Sequence, residues 1–113
     1  MHELSIAMSI VEIAREEVTK AGANHVTQIE LDIGKLSGVE LSSLEFVWDV
    51  AVQSTVLDGA ERKINEIPGI GKCLECSREF EMEQIFDACP ECHQYFNDII
   101  QGKELKVKSL TLN

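Results

Sequence analysis

The stretch VTQIELDIGKL, Val26–Leu36, decides how the rest of the chain is read. Ile29, Leu31 and Ile33 alternate with Gln28, Glu30 and Asp32, so an extended backbone puts the first set on a dry face and the second on a wet one. Upstream the period is different. From Glu3 to Ala21 the apolar residues Leu4, Ala7, Met8, Val11, Ala14 and Val18 recur every three or four positions, separated by Glu12, Arg15, Glu16 and Lys20. That spacing predicts a helix of roughly five turns with one core-facing stripe. Gly22 is its natural stop, and GANH the turn into the strand.

Downstream, SGVELSS breaks the strand, and Ser42 or Ser43 is the expected cap of a second helix. Its main stripe is Leu44, Val47, Trp48 and Ala51, widened by Phe46 and Val50, with an end near Leu57. Gly59 separates it from a second strand at about 62–67, and PGIG at 68–71 reads as a hinge. In KELKVKSLTLN alternation returns through Leu105 and Val107, then slips, so that Leu110 and Leu112 require a bulge or the opposite face. The expected fold is α+β: a small sheet of about three strands packed by two helices, with a four-cysteine module inserted before the last strand. The expected domains are 1–69 with 102–113, and 70–101.

A chain of 113 residues holds one modest core, so an additional module needs a stabiliser other than apolar burial. Twenty acidic against ten basic residues give a net charge of -10, which repels phosphate backbones and argues against a nucleic-acid partner. No basic cluster leads into an apolar run at the start, and no apolar stretch is long enough to span a bilayer. The expected compartment is the reducing cytoplasm, where cysteines stay free.

Cys73-Leu-Glu-Cys76 and Cys89-Pro-Glu-Cys92 are separated by twelve residues. Two residues between thiols let one turn aim both sulfurs at a metal, and two such turns complete a tetrahedron. Zinc is the expected ion, with iron the alternative that four thiolates also accept. Four thiolates leave no open position for water, so such a zinc is structural. Apart from the aromatic residues Phe80, Phe86, Tyr95 and Phe96 the module has only a few scattered apolar side chains, too small a core to fold alone, so metal binding should supply most of its folding free energy. His93, beside Cys92, reads as a solvated neighbour that could also exchange with a thiolate or hydrogen-bond to one.

At the other end, the amine of Met1, the amide of His2 and its imidazole can close fused chelate rings around one metal; a frayed terminus is the bland alternative. A planar nitrogen field suits Ni(II) or Cu(II) and is wrong for calcium or magnesium. Glu3 could add its carboxylate or its amide, although an acidic residue at a helix start also has a structural reason to be there. His25, in the turn after the first helix, reads as a surface residue. No Ser-His-Asp pattern, phosphate-binding glycine loop or His-Glu-x-x-His signature is present, which disfavours an enzyme.

The opening Met-His-Glu-Leu-Ser, the segment IGKLSGVE, the two Cys-x-x-Cys pairs and the closing GKELKVKSL together resemble the HypA/HybF family of hydrogenase maturation nickel chaperones. The resemblance implies a nickel site built on His2, with nearby backbone nitrogens as far as Glu3, and zinc on Cys73, Cys76, Cys89 and Cys92. It also implies delivery of nickel to the [NiFe] hydrogenase large subunit together with a HypB-like GTPase, some members also serving urease. Two departures stand out. Ser77 and His93 occupy positions where the family usually has glycine, which bears on the turns that hold the metal; Leu41 replaces a common proline at the start of helix two.

Overall fold

A computed structural model describes residues 2–113; Met1 lies outside the described residues. The order is α1 (Glu3–Ala21), β1 (Val26–Gly34), α2 (Leu41–Val52), β2 (Glu61–Ile67), β3 (Gly69–Cys73), β4 (Glu79–Met82), β5 (Asn97–Gln101) and β6 (Leu105–Leu112). Two three-stranded sheets result, β2-β1-β6 and β4-β3-β5. The chain forms two compact units: one of residues up to Leu31, Val39–Ile64 and Val107–Asn113, the other of Asp32–Gly38 and Asn65–Lys106.

Helix α1 has the limits its sequence predicts. Gly22 takes a left-handed φ of 66°, its N–H donates to Thr19 O, and Ala23 N–H donates to Val18 O, which satisfies carbonyls the last turn would otherwise leave bare. The buried face is turned slightly from the expected stripe: Ala7, Ile10, Ala14 and Val18 are buried, while Leu4 and Met8 are exposed. Helix α1 packs on α2, and Ala7, Ile10 and Ala14 form a buried line along it at helical spacing.

Helix α2 departs from expectation at both ends and on one face. Its cap is Glu40, whose carboxylate accepts from Ser42 N–H at 3.1 Å, so neither Ser42 nor Ser43 caps it. The helix stops at Val52, well before Leu57, in a bend where Ser54 has a φ of 63° and its N–H donates to Asp58 Oδ2. Leu44, Trp48 and Val52 are buried, but Phe46 is 85% and Val50 71% exposed, so these two face solvent instead of widening the stripe. They lie two positions from Leu44 and Trp48, a spacing that puts them on the far side of a helix.

In β1, Ile29, Leu31 and Ile33 are buried as predicted, and Gln28, Glu30 and Asp32 are half-buried. Polar partners account for that face: Lys63 and Lys108 bracket Glu30, and Asn65 Nδ2 donates to Asp32 Oδ1 at 2.9 Å. Near one end of β1 Val26 N–H reaches Val56 O, and just past the other Lys35 N–H reaches Ile67 O; β1 and β2 therefore run parallel around α2. Asn113 N–H donates to His25 O and Gly34 N–H to Glu104 O, which makes β6 antiparallel to β1. The sheet is mixed. In β6 the half-buried positions are Val107, Leu110 and Leu112, the predicted slip of phase.

The expected hinge at 68–71 is largely strand β3, paired antiparallel to β4 and β5. Its glycines serve close approach instead of bending. A Cβ on Gly69 would lie 2.5 Å from Met82 O and 2.7 Å from Leu36 Cδ1, and one on Gly71 2.3 Å from Met82 Sδ. Leu36, Cys73, Phe80, Met82 and Cys89 form the small core of this unit, with Cys92 and Ile99 against it. Of the module's aromatic residues only Phe80 is inside. Phe86, Tyr95 and Phe96 are exposed, and buried Cys73 and Cys89 stand in the core instead.

Candidate metal centre

The two cysteine pairs form near-identical turns. Cys73 N–H donates to Arg78 O and Ser77 N–H to Cys73 O; sixteen residues on, Cys89 N–H donates to Gln94 O and His93 N–H to Cys89 O. In each turn the residue after the second cysteine has a φ of 63°, Ser77 in one and His93 in the other. The turns that favour glycine at these positions are kept without it, at a cost of backbone strain. An Arg78–Glu91 ion pair links the two turns on the outside.

All four Sγ atoms lie within 4.8 Å of one another. Cys73 and Cys92 approach to 3.3 Å and Cys76 and Cys89 to 3.7 Å, near the roughly 3.8 Å edge of a tetrahedron of sulfurs about 2.3 Å from a central ion. All four cysteines are free thiols. Cys73 and Cys89 are buried, Cys92 half-buried and Cys76 exposed. The Cys76 N–H beside Cys73 lowers that thiol from 9.0 to about 7, and the Cys92 N–H does the same in direction for Cys89. For Cys92 the Gln94 N–H favours the thiolate, but the neighbouring Cys73 sulfur and burial outweigh it and push the thiol up to about 12. Cys76 is also raised: the Arg78 N–H lowers it, and burial with the Cys89 and Cys73 sulfurs more than offsets that. Two thiolates thus form readily and the next two are opposed by their neighbours' charge. A divalent cation removes that opposition, so the donor set fits a four-thiolate metal.

The amino terminus is built on α1. His2 is its N-cap, extended at φ -87° and ψ 91°, and its carbonyl accepts the first helical bond from Ile6 N–H at 3.2 Å. Its imidazole makes no capping bond and is exposed. Glu3 is half-buried in the first turn, and its Oε2 accepts from Glu40 N–H at 3.2 Å. Glu40 is itself lowered in pKa by the Ser42 hydroxyl and then by the Ser42 N–H. The structure therefore brings Glu40 beside the amino-terminal pair, a neighbour thirty-seven residues away that the local sequence does not announce. His25 and His93 are exposed, and the described residues that gather as possible metal ligands are the four cysteines.

A family model described as hydrogenase/urease nickel incorporation, metallochaperone, matches residues 1–112. The chain belongs to the HypA family. Hydrogenase maturation factor HypA of Parabacteroides distasonis is 46% identical over 112 residues, covering 99% of this chain and 97% of that one. The HypA of Chlorobaculum parvum is 42% identical over 99% of both chains. The solution structure of the Ni metallochaperone HypA from Helicobacter pylori superposes with a TM-score of 0.70 at 25% identity, over 99% of this chain and 97% of that one. As a member of the HypA family the chain is a nickel metallochaperone of hydrogenase maturation and not an enzyme. No helix among the described residues is long and apolar enough to cross a membrane.

Proposed function

We propose that the protein binds Ni(II) at its amino terminus through His2, with the Met1 amine and Glu3 as further ligands, and delivers it to the [NiFe] hydrogenase large subunit alongside a HypB-like GTPase. The observation that carries this is the free imidazole of His2 at the N-cap of α1. The first amides of a helix have no intrahelical acceptor. Nickel can therefore displace protons from the His2 and Glu3 nitrogens without breaking a helical hydrogen bond. Planar nitrogen coordination suits Ni(II), and ligands adjacent in sequence leave the ion open to a receiver. Urease is a second recipient consistent with the family description.

The four cysteines Cys73, Cys76, Cys89 and Cys92 hold zinc as a structural ion in the 70–101 region, and residues 1–69 with 102–113 carry nickel. Free thiols and the acidic charge fit a cytoplasmic protein that works on proteins and not on nucleic acid.

The deciding experiment is calorimetric titration of Ni(II) into untagged, zinc-loaded protein. The unmodified chain should show one nickel site that weakens toward acid pH, since each nitrogen donor must shed a proton. His2→Ala should abolish it and leave zinc content unchanged. A one-to-one site of unchanged affinity in His2→Ala would move the site to His93 or His25.

A further inference from the structure

We infer that the pocket between the Lys35 and Lys103 segments and the Ile85–Phe86 loop docks an acidic peptide segment of a partner protein, anchored by an apolar side chain. The cavity has a volume of about 540 Å³ and lies within the second compact unit. Leu36 contributes to its lining, and Ile85 and Phe86, 60% and 67% exposed, form its apolar side. Lys35 and Lys103 supply positive charge, and Glu83 is the one acidic residue in the lining.

The charge is distinctive in this chain. Of ten basic residues, five are in ion pairs and Arg62 lies over the Trp48 ring. Lys35 and Lys103 are two of the remaining four and have no ionic partner among the described residues. A locally positive, partly apolar hollow on a chain of net charge -10 selects for an acidic, apolar-anchored ligand.

The walls are fixed in advance. Gly34 and Gly102 let the two lysine-bearing strands of chain approach closely; a Cβ on Gly34 would lie 1.8 Å from Gly102 O. Leu36 N–H then donates to Gly102 O at 2.7 Å. Across the pocket, Asp87 Oδ2 accepts from the Glu83 and Gln84 amides at 2.8 and 3.1 Å, which closes the loop that presents Ile85 and Phe86. A preformed pocket loses little conformational entropy on binding.

The test is an amide-resolved NMR titration of the full zinc-loaded chain with three capped pentapeptides: Asp-Glu-Leu-Phe-Glu, Asp-Glu-Ser-Ser-Glu and Lys-Arg-Leu-Phe-Lys. The first should shift the resonances of Lys35, Phe86 and Lys103 and bind about tenfold tighter than either other peptide, and less tightly at high salt. Lys35→Glu combined with Lys103→Glu should weaken it at least about tenfold, and Phe86→Ser should do so independently. Zinc content and the remaining spectrum serve as the folding check. Equal or tighter binding of the basic peptide, or undiminished binding by the charge-reversed protein, would overturn the inference. So would concentration-dependent shifts of the same resonances without peptide, which would make a second copy of the chain the occupant.

Discussion

Glu40 donates its backbone N–H to the Glu3 carboxylate at 3.2 Å, so the residue beside His2 and the cap of α2 are joined across thirty-seven positions of sequence. The same Glu40 turns its own carboxylate to Ser42, capping the helix that α1 packs against. The start of α1 is thereby fixed by tertiary structure where a terminus would ordinarily fray.

Replacing Glu3 should accordingly separate structure from metal binding. Glu3→Ala is expected to cost about 1 kcal/mol of stability, because it frees the Glu40 N–H and removes an acidic group from the helix start. Glu3→Gln should cost less, since its amide oxygen still accepts. Both keep the backbone nitrogen, so nickel affinity should fall less than in His2→Ala. Thermal unfolding and nickel calorimetry on the same preparations check the two effects.

His2 is a poor capping residue in a capping position. His2→Ser should bond a first-turn amide and raise stability by about 0.5–1 kcal/mol while abolishing the nickel site. Denaturant unfolding would read the gain; a loss of stability together with intact nickel binding would contradict both the cap and the ligand assignments.

The left-handed positions after the second cysteine of each pair offer an independent gain. Ser77→Gly and His93→Gly should each stabilise the metal-loaded protein by about 1 kcal/mol, the strain a side chain incurs at a φ of 63°. Zinc stoichiometry by elemental analysis should stay at one per chain. A fall in stoichiometry for His93→Gly alone would mean that its imidazole supports the metal.

Removing the metal should act on one unit. Cys73→Ser or a strong chelator is expected to unfold the cysteine-bearing unit while α1 and α2 keep most of their helical signal, because their core does not draw on the thiols. The lowered Cys73 and raised Cys92 belong to the folded turns, so in metal-free protein, where this unit unfolds, thiolate absorbance should rise in one step near the ordinary thiol value of 9.0; separate steps at about 7 and about 12 would show that the turns persist without the metal. The signs differ between the two. Cys73 is lowered, so its contribution to stability is present above pH 9 and lost as pH falls toward 7. Cys92 is raised, so its contribution is present below 9 and lost as pH rises toward 12.

Periodicity and capping chemistry made α1, β1 and the element order legible, because Gly22 and the alternation at Ile29, Leu31 and Ile33 are local signals. The second sheet was not legible in that way. Gly69–Cys73 carries two glycines and too few side chains to show a period, and its pairing is set by β4 and β5. Phe46 shows another limit: an aromatic residue next to a core stripe looks internal until the helix phase is fixed by Leu44 and Trp48. In the candidate site, cysteine spacing was sufficient to predict the cluster. Glu40 beside Glu3 had no signal in the chain, since their meeting depends on α1 lying against α2.

The unequal exposure of the four thiols sets an order of attack on any ion they hold. Cys73 and Cys89 are shielded, while Cys76 stands open to solvent. A competing thiol or chelator reaches a metal–sulfur bond by access, so a bond to Cys76 would be the first exposed to exchange. An ion held here would then be open to attack on one side and sheltered on the other, so the same four-thiolate set would combine a guarded half with an accessible one.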